Sequence, residues 1–354
     1  MPGRGIDQIL PHPCDPALYE SYVKSALAYV ELAERANGPI PRPVDDRYVW
    51  GDALSALDGA RPDARIVNLE NSITTSGAFE AKGINYRMNP LNVGVLNAAK
   101  IDCCALANNH VRDWNVPGLE DTLSTLRAAG IRYAGAGRDI AEAAAPAIME
   151  TAGGRRILVF AFGFASSGVP PHWAATETLP GVNFVAEASE EAVRDIAEHV
   201  RSSARADDLL VASIHWGGNW GYTVPRAQRA FAHDLIDVAG FHIVHSHSSH
   251  HAKAIELYRG RVILYGCGDF ITDYEGISGY EEFRGDLAVA YLPELSGARE
   301  LVAMTMIPFQ MQRFRLVSAN EDDIRWLVEK LNGESSQFNT HLKLTAEKTL
   351  ALDL

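Results

Sequence analysis

Between Gly240 and Tyr274 the stretch GFHIVHSHSSHHAKAIELYRGRVILYGCGDFITDY carries five of the chain's twelve histidines. Ile243–Val244 and Val262–Tyr265 read as the ends of short buried strands, with His245, His247, His250 and His251 in a Ser-rich loop between them. Imidazoles crowded at a strand end repel one another when protonated. When neutral they present lone pairs that take up a proton or a metal ion. The competing reading is a solvated His-rich loop, and the rest of the chain weighs against it. Asn68 and Glu70 close one apolar run, Asn108, Asn109 and His110 follow a second, and His215 ends a third, with Asp113 three residues beyond His110.

The elements that must position these groups follow from apolar periodicity. Arg65–Glu70, Ile101–Leu106, Ile131–Tyr133, Arg156–Phe162 and Leu209–Ile214 read as strands. Helices are expected at Pro16–Asn37, Trp50–Leu57, Pro90–Lys100, Gly118–Ala129, Ser189–Ser203, Pro225–Ala239 and Glu321–Asn332. On the first of these, Leu18, Tyr22, Ala26, Tyr29 and Leu32 share one face. Residues Gly163–Val182, with Pro170, Pro171 and Pro180, show no periodicity and read as a long loop over the site, suited to a lid. Leu287–Leu292 and Leu301–Phe314 alternate like strands, and the last twenty or so residues are polar and expected to be loosely held. Strands that alternate with helices and hand polar residues to their C-terminal ends describe a layered α/β fold with its site at that edge. The antiparallel-looking tail suggests a second sheet packed on the first.

Bulk composition narrows the function classes. A formal net charge of −13 and a pI near 5.4 argue against unaided binding to nucleic acid or an anionic membrane face. The four cysteines form no CxxC pair, and Cys103 and Cys267 sit in apolar runs, so reduced thiols and a cytoplasmic setting are expected. Neither a signal-peptide h-region nor a run of eighteen apolar residues is visible, so no membrane span is expected.

Five phrases carry a resemblance to a known family: NLENSIT, ALANNHVRDWNVPGLEDTL, YAGAG, HWGGNWGY and IVHSHSSHHAKAIELYRGRVILYGCGDFI. In order and spacing they resemble the capsule-synthesis CapA family of the calcineurin-like metallophosphoesterase superfamily, from Gly3 to about Leu292. The resemblance implies a four-layer α/β/β/α sandwich over residues 1–315, followed by a C-terminal helix and polar tail over 316–354. It implies one or two divalent ions (Mn, Fe or Zn), a pair sitting about 3.5–4 Å apart. Glu70, Asn109, His215, His247 and His250 stand at the metal-ligand positions, His110 at the general acid, and Asp113 and His215 complete the catalytic group. Structural readings compete with each role. Glu70 pairs equally well on paper with Arg87, Asn108 and Asn109 suit a turn, and His215 suits a satisfied core position. Asp113 is better read as a helix cap or a partner of His110 than as a ligand.

The chain departs from the family pattern in two places. Members open with a strand ending in a metal-binding Gly-Asp, whereas here Met1-Pro2 directly precedes Gly3-Arg4-Gly5. The first strand is therefore expected to be missing, and neither Asp7 nor Asp52 replaces it. Either the true start lies upstream, the preferred reading, or the chain binds one metal or none. Ser246 also replaces the glycine of the usual Gly-His-x-His. By resemblance the function is the making or processing of poly-γ-glutamate or a related capsule polymer, with metal-assisted hydrolysis of a phosphoester or amide as the leading chemistry. The alternatives are metal-independent acid/base epimerisation of a peptide and non-catalytic binding of an anionic polymer. Substrates expected on these readings are an anionic polymer, a phosphoester or a peptide, and self-association stays open.

Overall fold

The computed structural model describes all 354 residues. The first sheet is parallel and runs β1 (Ile66–Asn68), β2 (Cys103–Ala105), β3 (Arg132–Ala134). The second contains β4 (Ala147–Glu150), β5 (Arg156–Phe164), β6 (Phe184–Val185), β7 (Leu209–His215), β8 (Ile243–His247), β9 (Ile255–Tyr258) and β10 (Arg261–Leu264). Its order is β6-β5-β7-β8-β10-β9, parallel as far as β10, with β4 and β9 pairing antiparallel. The third is antiparallel: β11 (Leu287–Leu295), β12 (Leu301–Gln312), β13 (Arg315–Ser318), β14 (Leu342–Leu344) and β15 (Leu350–Leu352), in the order β11-β12-β15-β14 with β13 also on β12. The α/β class read from the sequence is the class observed.

Strands buried on both faces need near-continuous apolar runs, and β5 from Ile157 to Phe162 and β7 from Leu209 to Ala212 have them. Leu158, Phe160, Phe162, Leu210, Ala212 and Ile214 pack against Val193, Ile196 and Val200 of α4 and Phe231 and Leu235 of α5. Helix α4 spans Glu190–Ser203 and α5 spans Arg226–Asp237; they follow α1 (Leu27–Asn37), α2 (Ala53–Ala60) and α3 (Asn115–Ala128) in the chain. The Ser189 side chain accepts from Ala192 N, and Glu190 and Glu191 fill the first turn of α4, which is why the helix starts there. The intervening residues Ile157, Val159, Leu209, Val211 and Ile243 point the other way and share a core with Cys103, Ala105 and Ala134 of the first sheet. Met304 and Met306 of the third sheet, and Ile324 and Leu327 of α6 (Glu321–Ser335), extend that core. On the far side of the first sheet Cys104 and Leu106 meet Leu119, Leu123 and Leu126 of α3.

Several elements differ from their sequence reading. The helix expected from Pro16 begins only at Leu27, because Glu20 turns inward to Arg4 at 2.9 Å and leaves Tyr22 66% exposed. His245 and His247 belong to strand β8, not to the loop after it. The expected Pro90–Lys100 helix is a 3-10 turn at Pro90–Asn92 followed by a short helix at Gly94–Ala98. The tail expected to be loose is paired, with Leu342, Leu350 and Leu352 buried in β14 and β15. No helix is long and apolar enough to cross a membrane.

Among the sheet edges, β1 pairs only with β2 and β11 only with β12. Both edges line one cavity of about 900 Å³, walled by Val67, Val211, Ile243, Leu264, Val289 and Leu292. Asn68, Glu70, His245, His247 and Asp269 line the same cavity.

Candidate metal centre at the strand ends

The parallel register between β7 and β8 sets Ser213 beside His245 and His215 beside His247. Side chains alternate along a strand, so all four turn toward the first sheet. The hydrogen bonds follow from that adjacency. His215 Nδ1 lies 2.7 Å from His247 Nδ1, His247 Nε2 lies 3.0 Å from Ser213 Oγ, and Ser213 Oγ lies 3.0 Å from His245 Nδ1. In one polarity His215 Nδ1–H donates to His247, His247 Nε2–H to Ser213, and Ser213 O–H to His245, which leaves the His215 Nε2 lone pair free. The reverse polarity puts a proton on His215 Nε2.

That nitrogen is 3.0 Å from Asn109 Oδ1 and 3.6 Å from Glu70 Oε1. Glu70 is steered by Asn68, whose Nδ2 donates to Oε2 at 3.1 Å. Asn108 ties the ends of β1 and β2 together by donating to Asn68 Oδ1 at 3.0 Å and to the Leu69 carbonyl at 2.9 Å. Beside them, Asp113 holds His110: its Oδ2 lies 2.7 Å from His110 Nδ1 and accepts from Tyr86 N at 2.6 Å. The Lys82 ammonium lies 2.7 Å from Asp113 Oδ1 and also donates to the Asn109 carbonyl. Opposite, His250 Nδ1 lies 2.9 Å from Asp269 Oδ2, and the Tyr274 hydroxyl lies 3.5 Å from His250 Nε2.

Electrostatics follow from burial. Burial pushes the Glu70 carboxyl up to about 7, helped by the like charge of Asp269 and opposed by His250. Burial also drives His215 and His247 well below the ordinary imidazole value and brings His110 and His245 down to about 4. His250 is the exception: burial disfavours its charge, but Asp269 outweighs it and raises the value. At neutral pH His110, His215, His245 and His247 are therefore neutral imidazoles, the form that ligates.

No three histidine, cysteine or carboxylate side chains cluster in ligating geometry by themselves; beside His215 and Glu70, the Asn109 amide oxygen would be the third donor. Donor atoms 2.0–2.2 Å from one ion stand roughly 3.0–3.5 Å apart; the 3.0 Å separation from Asn109 Oδ1 to His215 Nε2 lies in that range and the 3.6 Å separation from Glu70 Oε1 just beyond it. Glu70, Asn109 and His215 are the residues that would hold one divalent ion here. His247 has its two ring nitrogens within hydrogen-bond distance of His215 and Ser213. His250 is held by Asp269 at the side of the set.

The family model for the bacterial capsule synthesis protein PGA_cap matches residues 1–274. The chain belongs to that family. Probable polyglutamine synthesis accessory proteins of Mycobacterium tuberculosis strains CDC 1551 / Oshkosh and ATCC 25618 / H37Rv are each 46% identical over 341 residues, 96% of this chain and 90% of theirs. The PGA biosynthesis protein CapA of Bacillus subtilis (strain 168) is 28% identical over 226 residues, 63% of this chain and 56% of that one.

The PGA_cap match contains every candidate side chain from Glu70 to His250 and stops before the third sheet. Within it, the structure brings together Glu70, Asn109 and His215, with His110 and Asp113 alongside. Asp113 is the partner of His110 and not a helix cap, since Trp114 occupies the cap of α3. Arg87 donates to the carbonyls of Ser76 and Asp15 and leaves Glu70 unpaired with it. Sequence reasoning missed Lys82, Ser213 and Asp269. Lys82 lies in a loop without periodicity, and Ser213 acquires its partners only through strand register. Asp269 had a signal: GCGD follows a buried strand directly.

Proposed function

We propose that this PGA_cap protein serves the synthesis or processing of an anionic capsule-type polymer of the poly-γ-glutamate kind, and that its strand-end site carries out metal-assisted hydrolysis of a phosphoester or amide. The names of the relatives support the polymer. The convergence of Glu70, Asn109 and His215 donor atoms, 3.0 and 3.6 Å apart, supports the chemistry. A divalent ion held there would polarise the bond to be cleaved and acidify a water.

The protein's own groups have distinct tasks on this reading. His247 and Ser213 fix the His215 ring and keep its Nε2 lone pair on the site, while Asn68 fixes the Glu70 carboxylate. Asp113 fixes the His110 ring. With its value lowered to about 4, His110 is neutral in the free protein, so service as an acid requires the negative charge of a bound substrate to bring the proton with it.

The fold supports the finer architecture too. Helices α4 and α5 cover one face of the second sheet, α3 covers the far face of the first, and the two sheets share a core. That layering supports reading the fold as a four-layer α/β/β/α sandwich. A further extended segment between β1 and β11 would join the first and third sheets.

The test combines metal content and turnover. Protein loaded with Mn or Zn should retain about one ion per chain and hydrolyse a generic phosphodiester or a γ-glutamyl amide. His215→Ala should abolish both. Ser213→Ala, which removes the link between His247 and His245 and with it the support of His247, should weaken metal binding about 10- to 100-fold. Retention of metal and turnover by His215→Ala would overturn the proposed centre.

A further inference from the structure

Two arginines of this chain are buried, and they are treated differently. Arg4 is closed by Asp273 at 2.7 Å and Glu20 at 2.9 Å. Arg112, 8% exposed, has no carboxylate partner: Nη1 makes a long 3.3 Å bond to the His172 carbonyl, and the buried Nε–H finds no acceptor. The fully buried indole of Trp173 also carries an N–H without an acceptor. The Arg112 guanidinium lies 5.7 Å from the centre of that indole and the Lys82 ammonium 5.1 Å. Two cations and two donors lacking acceptors therefore share one ring.

We propose that Arg112, Trp173 and Lys82 form a receiving site for an anionic oxygen group, and that its ligand is a carboxylate of the polymer proposed above, on which reading it rests. A buried cation without a counter-charge is costly, and a carboxylate removes that cost by accepting from the guanidinium fork. The place is right for substrate. Arg112 lies two residues past His110, and Lys82 donates to the Asn109 carbonyl, so the site borders the Glu70–Asn109–His215 set. The need is general: a chain of net charge −13 repels a polyanion at long range, so capture depends on local cations. Glu80 works against it. Its carboxylate, 3.1 Å from His172 Nε2, is the acid whose charge reaches Arg112.

The competing account is a buried water on these donors, with Arg112 stacking on Trp173 only to fasten the Pro170–Trp173 segment. The two accounts differ in binding. A fluorescent γ-linked glutamate oligomer is titrated into the intact protein and into Arg112→Met, Lys82→Met and Glu80→Gln, at about 50 and about 200 mM salt. Arg112→Met should weaken binding about 10- to 100-fold and flatten the salt dependence, and Arg112→Lys should recover part of the loss. Lys82→Met should weaken it as well. Glu80→Gln should tighten it several-fold, a gain that misfolding cannot produce. A neutral glutamine oligomer should not bind. If the unaltered protein fails to bind the glutamate oligomer, the polymer reading falls and this site with it. If it binds, and folded Arg112→Met and Glu80→Gln bind equally well, the polymer reading stands and the water account replaces the site.

Discussion

His242 shows how a single buried imidazole ties this fold to pH. Its Nδ1 accepts from Leu210 N at 3.0 Å, so the ring must be neutral there. Burial, reinforced by the nearby charges of Arg261 and Arg299, lowers its value to about 4, while in the unfolded chain it returns to roughly 6.5. The folded group is depressed, so the unfolded state takes the proton first. Stability is fully present above about pH 6.5 and is lost as pH falls toward 4, with a slope approaching ~1.4 kcal/mol per pH unit. His242→Asn keeps an acceptor for Leu210 N without the titration. Urea unfolding of both proteins at pH 7, 6 and 5 should show the variant losing less stability on acidification, and parallel losses would refute the assignment. The same scale explains what the sequence disclosed of the site. Residue type and position at strand ends were enough for Glu70, Asn109 and His215. The hydrogen bonds that link Ser213 and His247 to their neighbours were not legible, because they depend on which residue of β7 lies beside which residue of β8.

At the level of elements, continuous apolar runs announced β5 and β7, since a strand covered on both faces leaves little room for polar residues. The first helix was misjudged because periodicity placed Tyr22 on the buried face, whereas the Arg4–Glu20 ion pair captures that segment and turns Tyr22 outward. The C-terminal strands were missed because their few leucines are scattered among polar residues and find a core only through pairing with β12. Gly135 directly follows β3. Its φ is +91°, and a Cβ there would stand 2.7 Å from the Cβ atoms of both Ala107 and Ala161. Gly135→Ala therefore combines left-handed strain with overpacking between the first and second sheets. It should cost ~2–4 kcal/mol, read as a lower denaturation midpoint at unchanged slope. A loss below ~1 kcal/mol would mean that the two sheets separate easily at this point.

For the whole molecule, the open edges of β1 and β11 pose the largest energetic question. Exposed strand edges are templates for pairing, and proteins blunt them with charge, proline or a covering element. Here both edges turn into one cavity of about 900 Å³ whose walls are largely apolar. A second copy of the chain cannot readily enter between two sheets, but a single extended segment can. It would gain backbone hydrogen bonds on both sides and bury alternate side chains at about 25 cal/mol per Å². Its end would emerge beside Asn68, Glu70 and Asp269, so a carboxylate there would add a donor to the candidate metal set. A short Val- and Ile-rich peptide ending in Gly-Asp, supplied in trans at about 100 times its dissociation constant, should stabilise the fold by ~2.7 kcal/mol and raise the melting temperature by several degrees. Amides of Ile66–Asn68 and Val289–Leu295 should become protected from hydrogen exchange, and a proline-containing version should do neither. Replacing the terminal Asp by Asn should keep the thermal gain while removing any gain in metal affinity, which separates the sheet-completing role of the segment from its part in the site. An unchanged melting temperature with unprotected edges would show that the cavity does not accept a strand.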